Sequence, residues 1–289
     1  MSTDAQLAWH ALPPLARACA EVIGDPIAQS KSPLIHRFWL ARLGLAADYR
    51  HAHVLAGDVP AYIAARRADP LWRGCNITMP HKQAVMPLLD RIDPLAARIG
   101  AVNTVVRGED GELSGFNTDA PGFMEPLAGL SGRALVLGAG GAARAIVLAL
   151  ADAGFALTLA ARDAAKAAAV LAELAPGGPH QPAPLAAFAQ GGAGAFDLVV
   201  NASPLGMVGQ PALAFDLAHL RPGGTVYDIV TAPAVTPLLA AARARGLATV
   251  DGLAMLIGQA DYAFRRFYGA RPDRADGDAA LRALLAGAR

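Results

Sequence analysis

Residues 134–143 read Ala134-Leu135-Val136-Leu137-Gly138-Ala139-Gly140-Gly141-Ala142-Ala143. Four apolar residues run straight into glycines, and the Ala/Leu-rich segment 142–153 that follows has the composition of a helix. Gly138, Gly140 and Ala143 satisfy the pattern G-x-G-x-x-G/A. The first glycine permits a tight turn, the second lets backbone approach a pyrophosphate, and the small third residue lets helix and strand pack closely. The helix N-terminus then offers unpaired N–H groups and partial positive charge to the phosphates. Chains rich in Gly and Ala produce such strings by chance, so the strand–helix setting carries the reading. A structural turn and a methyltransferase loop are the competing readings.

C-terminal to this turn the alternation continues. Residues 156–160 read as a second strand, and Asp163 as the N-cap of the next helix. The Pro/Gly/Ala-rich stretch 176–195 obscures any strand within it, 197–201 and 224–230 are further buried strands, and 236–245 is a helix stopped by Gly246. Such alternation predicts a parallel sheet covered on both faces. The end of the second strand discriminates between cofactors: an acid there suits the ribose hydroxyls of NAD, and Arg suits the extra phosphate of NADP. Arg162 and Lys166 supply two cations, while Asp163 adds an acid that either caps the helix or faces the ribose. A solvated basic cluster is the plain alternative.

N-terminal to the turn, strands are expected at 21–23, 49–54, 74–77 and 105–107, with Pro33 in the first turn of a helix. Two α/β domains meeting near residue 120 follow, with a ligand site expected between them. Three polar segments exceed what ordinary loops need. Ser30-Lys31-Ser32-Pro33 places two hydroxyls where both can donate to an anion, although Ser before Pro is also a common turn. Asn76-Ile77-Thr78-Met79-Pro80-His81-Lys82 puts an ammonium at an expected strand-to-helix corner, where it is a candidate proton donor or acceptor or a plain solvated lysine. Asn103, Asn117, Thr118 and Asp119 crowd the expected junction, where caps and Asx-turns compete with a ligand role.

The chain has 289 residues, 25 Lys+Arg and 24 Asp+Glu, for a net charge of +1. That balance gives no clustered basic field for nucleic acid. At 54% hydrophobic and 17% charged the chain is too apolar for disorder, yet Arg144 and Asp152 interrupt its strongest apolar run, so no membrane span is expected. Cys19 and Cys75 have no partners at metal-ligand or disulfide spacing, which implies reduced thiols, no metal and a cytoplasmic setting. Residues 1–17 read as a loose extension.

Taken together, the segments GDPIAQSKSPLIH, GCNITMPHKQAV, IGAVNTVV, GFNTDAPGF, VLGAGGAARA, NASPLGM, TPLL and DGLAMLIGQA, in this order from about residue 22 to residue 269, resemble the shikimate dehydrogenase family. The resemblance implies reversible reduction of 3-dehydroshikimate to shikimate with NADP(H). It implies a substrate-binding α/β domain over 18–119, rejoined by C-terminal helices at 252–289, and a Rossmann-type dinucleotide-binding domain over 120–251. By motif, Ser30 and Ser32 would hold the substrate carboxylate, Thr78, Asn103 and Gln259 its ring hydroxyls, and Lys82 with Asp119 would be the catalytic pair. Gly138, Ala139, Gly140, Gly141, Ala142 and Ala143 would take the pyrophosphate, and Arg162 with Lys166 the 2′-phosphate. Ser203, Met207, Gly252 and Met255 would line the nicotinamide side. The small-molecule carboxylate is the expected partner, with a homodimer among the open assemblies. Thr231 stands where the family usually has Tyr, and Ser203 and Asp163 each stand where Thr is common. Alternatives are a quinate/shikimate paralogue with relaxed substrate or NAD use, and a non-catalytic nucleotide sensor on the same fold.

Overall fold

Strand β1 (Ala18–Gly24) is buried along all but its first residue, as an apolar run lying between two neighbours should be. The computed structural model, which describes residues 7–275 and 277–287, continues with α1 (Ser32–Arg42), β2 (Ala47–His53), α2 (Val59–Arg67), β3 (Trp72–Ile77), β4 (Arg91–Ile92), α3 (Pro94–Ile99), β5 (Thr104–Arg107) and β6 (Leu113–Phe116). These strands form one sheet in the order β2-β1-β3-β5-β6-β4. β2 and β3 run parallel to β1, β5 and β6 add antiparallel strands, and β4 closes the edge. Strands β4 and β6 were not expected: one has two residues, and the other reads Leu-Ser-Gly-Phe, too polar to announce itself.

Residues 7–17 are not loose. Trp9–Ala11 forms a 3₁₀ turn, Trp9 meets Tyr62 edge-on at 5.7 Å, and Leu12 joins the core of Ile23, Tyr62, Trp72 and Ile77. The apolar side chains of Trp9 and Leu12 gain more by covering that core than by staying in water. Residues 1–6 of the expected extension lie outside the described residues.

The second unit begins with α4 (Asp119–Met124), followed by β7 (Arg133–Leu137), α5 (Gly141–Asp152), β8 (Ala156–Ala161), α6 (Ala164–Leu174), β9 (Gln181–Pro184), β10 (Phe196–Asn201), β11 (Leu220–Asp228), α7 (Pro237–Ala244), β12 (Ala248–Val250) and α8 (Gly252–Tyr268). Its sheet is wholly parallel in the order β12-β11-β10-β7-β8-β9. That is the doubly wound order of dinucleotide-binding folds, whose ligands lie beyond the carboxyl ends of the strands where the order reverses, here between β7 and β10. Both faces of β7 are covered: Ala134 and Val136 pack on one side with Ile146 and Leu157, Leu135 and Leu137 on the other with Val199 and Leu239. β9 carries Pro182 and Pro184, which lack the N–H a central strand needs. It sits at the sheet edge, where proline is tolerated.

Helix α9 (Asp278–Gly287) packs in the first unit, where the Leu285 carbonyl accepts a hydrogen bond from Lys31 Nζ at 2.7 Å. The described residues up to Thr118 and from Gln259 onward form one unit, and Asp119–Gly258 the other, so the second division falls inside α8. Among the described residues no helix is long and apolar enough to cross a membrane.

Candidate active site

In the first unit, the loops after β1 and β3 interlock. Thr78 N–H donates to the Ile23 carbonyl at 3.0 Å and Asp25 N–H to that of Met79 at 3.1 Å. A Cβ at Gly24 would lie 2.5 Å from Thr78 Cγ2, so glycine is what lets the Thr78 turn pass. Residues 79–85 then continue as turns to a 3₁₀ turn at Met86–Leu88, not as the expected helix, so Lys82 sits on a turn. Its carbonyl accepts from Val102 N–H at 2.9 Å, which fixes the backbone beneath its half-buried side chain. His81 is buried, with Nε2 on the Val54 carbonyl at 2.7 Å.

Ser30 and Ser32 meet at the head of α1. The Ser30 hydroxyl donates to Ser32 Oγ at 3.3 Å and accepts from Ser32 N–H at 3.4 Å. Both are long contacts that an incoming anion with two oxygens can replace. Pro33 lies in the first turn, and the dipole of α1 adds positive potential at this end. Lys31, between the serines, is spent on the Leu285 carbonyl.

Asn103, Thr118 and Gln259 are brought together. Asn103 Oδ1 accepts from Thr118 N–H at 2.8 Å, its Nδ2 donates to Thr118 Oγ1 at 3.0 Å, and Thr118 Oγ1 donates to Gln259 Oε1 at 3.4 Å. The network extends through residues not singled out from sequence: Thr104 Oγ1 donates to Asn103 Oδ1, Asn76 Nδ2 to Thr104 Oγ1, both at 3.0 Å, and the Tyr49 hydroxyl to Asn76 Oδ1 at 2.7 Å. Burial pushes the Tyr49 phenol well up, against a hydrogen bond from Ser32 that pulls it down.

In the second unit the glycine turn lies at the switch point. Gly138 has φ +115°, and a Cβ there would come within 3.0 Å of the Ala202 carbonyl group and 3.1 Å of Ser203 Cβ. Only glycine lets the β7 turn pass the β10 loop. Nothing lies within 4 Å of the Cβ positions of Gly140 and Gly141, so the head of α5 is open. This open cradle of backbone N–H groups fits a pyrophosphate. Ala143 is fully buried against the sheet.

Arg162 and Lys166 are exposed beyond β8. Asp163 caps α6, its Oδ1 accepting from Ala165 N–H at 2.9 Å and Lys166 N–H at 3.3 Å. Arg144, one residue past the glycine pattern, pairs with both carboxylate oxygens of Glu173. Gly252 has no room for a side chain, since a Cβ would lie 2.3 Å from the Val230 carbonyl oxygen. Met207 is exposed, while Met255 is buried in the core with Phe123 and Tyr227. Ser203 donates to Asn201 Oδ1 at 2.7 Å. Asp119 is buried at the start of α4.

Sequence reasoning passed over Tyr49, Asn76, Asn201 and Asp228. Three of them share a signal: Asn76, Asn201 and Asp228 are polar residues at or one residue from the C-terminal end of a strand, directly after an apolar or aromatic residue. Strand ends of this kind are where α/β folds place ligand-facing groups.

The chain is similar to known proteins over most of its length. Residues 22–105 match the shikimate dehydrogenase substrate binding domain. The NADP(+) shikimate dehydrogenase of Sphingopyxis alaskensis is 54% identical over 283 residues, covering 94% of this chain and 98% of that one. The crystal structure of shikimate 5-dehydrogenase from Thermus thermophilus, in complex with NADP(H) and shikimate, is similar with a TM-score of 0.81 and 38% identity, covering 92% of this chain and 98% of that one. Quinate dehydrogenase from Corynebacterium glutamicum, in complex with NAD, is similar with a TM-score of 0.79 and 34% identity, covering 92% and 99%.

Proposed function

This chain belongs to the shikimate dehydrogenase family, and from that premise we propose how its own residues perform the reaction. It is an NADP-dependent oxidoreductase that interconverts 3-dehydroshikimate and shikimate. The unit around β1 serves as the substrate domain and the parallel-sheet unit as the cofactor domain. The observation that carries the substrate assignment is the serine pair at the head of α1, two hydroxyls 3.3 Å apart at the positive end of the helix dipole. Charge-assisted bonds from both hydroxyls to the substrate carboxylate are stronger than the long contact they replace. Thr78, Asn103 and Gln259 take the ring hydroxyls; the Thr118 bridge between Asn103 and Gln259 supports this reading by fixing both amides.

When bound, NADPH supplies the hydride. Gly138–Ala143 take its pyrophosphate, Arg162 and Lys166 its 2′-phosphate, and Ser203, Met207, Gly252 and Met255 its nicotinamide side. As negative charge builds on the substrate carbonyl oxygen, the Lys82 ammonium gives that oxygen a proton and stabilises the developing alkoxide. In the reverse direction neutral Lys82 takes the hydroxyl proton. Asp119 is the second member of the pair, orienting the ammonium and accepting from a substrate hydroxyl. Two buried free thiols, Cys19 and Cys75, suit a reducing cytoplasm.

Serine at both 30 and 32 supports shikimate over quinate. NADPH absorbance with shikimate and quinate in one direction, and 3-dehydroshikimate in the other, tests the assignment: turnover is expected with shikimate and 3-dehydroshikimate, and faster turnover with quinate would reverse it.

A further inference from the structure

One buried carboxylate gathers three segments of the cofactor-side unit. Asp228, at the end of β11, is fully buried. Its Oδ1 accepts from Asn201 Nδ2 at 3.0 Å and from Val230 N–H at 3.1 Å, and its Oδ2 from Thr236 Oγ1 at 2.7 Å. All three donors are neutral, and burial raises the carboxyl pKa. Asn201 is saturated in turn. Its Oδ1 accepts from Ser203 N–H at 3.1 Å and Ser203 Oγ at 2.7 Å, and its Nδ2 also donates to the Leu205 carbonyl at 3.0 Å. Thr236 caps α7 by accepting from Leu239 N–H at 3.3 Å. Val208 N–H donates to the Ala232 carbonyl at 2.9 Å, a second tie between the loops after β10 and β11.

A well-packed apolar residue is usually a better core filler than a carboxylate held without a cation. A carboxylate here accepts at both oxygens without donating; an amide would have to turn its N–H toward Thr236 and reverse that hydroxyl. The loop it braces runs from Asn201 to Met207, and Ser203 Cβ lies 3.1 Å from where a Cβ on Gly138 would be, so this loop abuts the glycine turn.

We propose that Asp228, acting through Asn201 and Thr236, is a positioning residue that sets the 202–207 loop for the nicotinamide half of the cofactor. The inference rests on the reading that Ser203 and Met207 serve that half. Thr236→Val removes one donor to Asp228 while nearly keeping shape, and Thr236→Ser restores the hydroxyl. The measurements are kcat for shikimate oxidation and the Kd of adenosine 2′,5′-bisphosphate, which lacks nicotinamide. Loss of one hydrogen bond to a charged group predicts roughly a tenfold fall in kcat for Thr236→Val, recovery in Thr236→Ser, and unchanged bisphosphate affinity in both. Asp228→Ala, which removes the acceptor for all three donors, should follow Thr236→Val; should it fail to fold, the Thr236 pair decides. An unchanged kcat in Thr236→Val, or bisphosphate affinity falling in parallel with it, would overturn the proposal. Met207→Ala separates the two levels. If it lowers kcat while Thr236→Val does not, the positioning role alone is wrong; if neither moves kcat, the loop does not serve the nicotinamide and both readings fall.

Discussion

Asp163 accepts a hydrogen bond from the backbone N–H of Lys166 at 3.3 Å. The acid that left cofactor choice open in the sequence is therefore engaged as an N-cap, while the Arg162 and Lys166 side chains stay exposed beside it. A 2′-phosphate carries nearly two negative charges, and a guanidinium with an ammonium meets it with charge-assisted bonds. Replacing both cations with Ala should weaken NADP⁺ far more than NAD⁺, and the loss should shrink as salt screens the exposed charges. The check is kcat/KM for both cofactors at low and high salt; a cofactor ratio that does not move contradicts the assignment.

The same cap gives a second contrast. Asp163→Asn keeps the acceptor and removes the charge, so NADP⁺ preference should rise modestly with little change in Tm. Asp163→Ala loses the cap and should cost about 1 kcal/mol of stability. Equal stabilities for the two variants in thermal melts would mean the cap does not matter.

For the substrate, Ser30→Ala and Ser32→Ala should mainly raise KM for shikimate. Each removes a hydrogen bond to a charged group, about 1.5–3 kcal/mol, or roughly ten- to a hundredfold. KM for NADP⁺ should hold, because the serines belong to the other unit from the glycine turn. An unmoved shikimate KM in both variants would place the carboxylate elsewhere.

His36 yields a pH prediction. It is fully buried, stacked on Tyr49 at 4.0 Å between ring centroids, and burial lowers its pKa from 6.5 to about 3. The unfolded chain therefore takes up a proton near pH 6.5 that the folded chain refuses. This contribution to stability is present above pH 6.5 and is lost as pH falls toward 3. Denaturant melts should show wild type losing up to about 1.4 kcal/mol per pH unit more than His36→Phe in that window. Parallel pH profiles would show that His36 does not titrate differently on folding.

Much of this was legible from residues alone. The β7 turn and the capped helix after β8 follow from local rules, an apolar run closed by Gly138 and an Asp before a helix-forming stretch. Polar networks were not legible. That Tyr49 reaches Asn76, 27 residues away, depends on β1 lying between β2 and β3. Fully buried Glu21, bonded by Arg50, Arg66 and Tyr62, likewise reads as a stray charge until the sheet assembles around it. The helix expected after Thr78 is absent because successive turns carry the chain through Lys82 instead, and no local rule distinguishes the two.

The central claim, that Lys82 moves the proton in NADP-dependent shikimate oxidation, is tested most directly by comparing wild type with Lys82→Ala in steady-state NADPH formation, with NADP⁺ binding measured alongside. The expected result is turnover in wild type and a kcat lower by roughly 10²–10⁴-fold in the variant, as for loss of a positioned acid–base group, with NADP⁺ affinity retained. A variant that turns over shikimate at the wild-type rate would contradict the account.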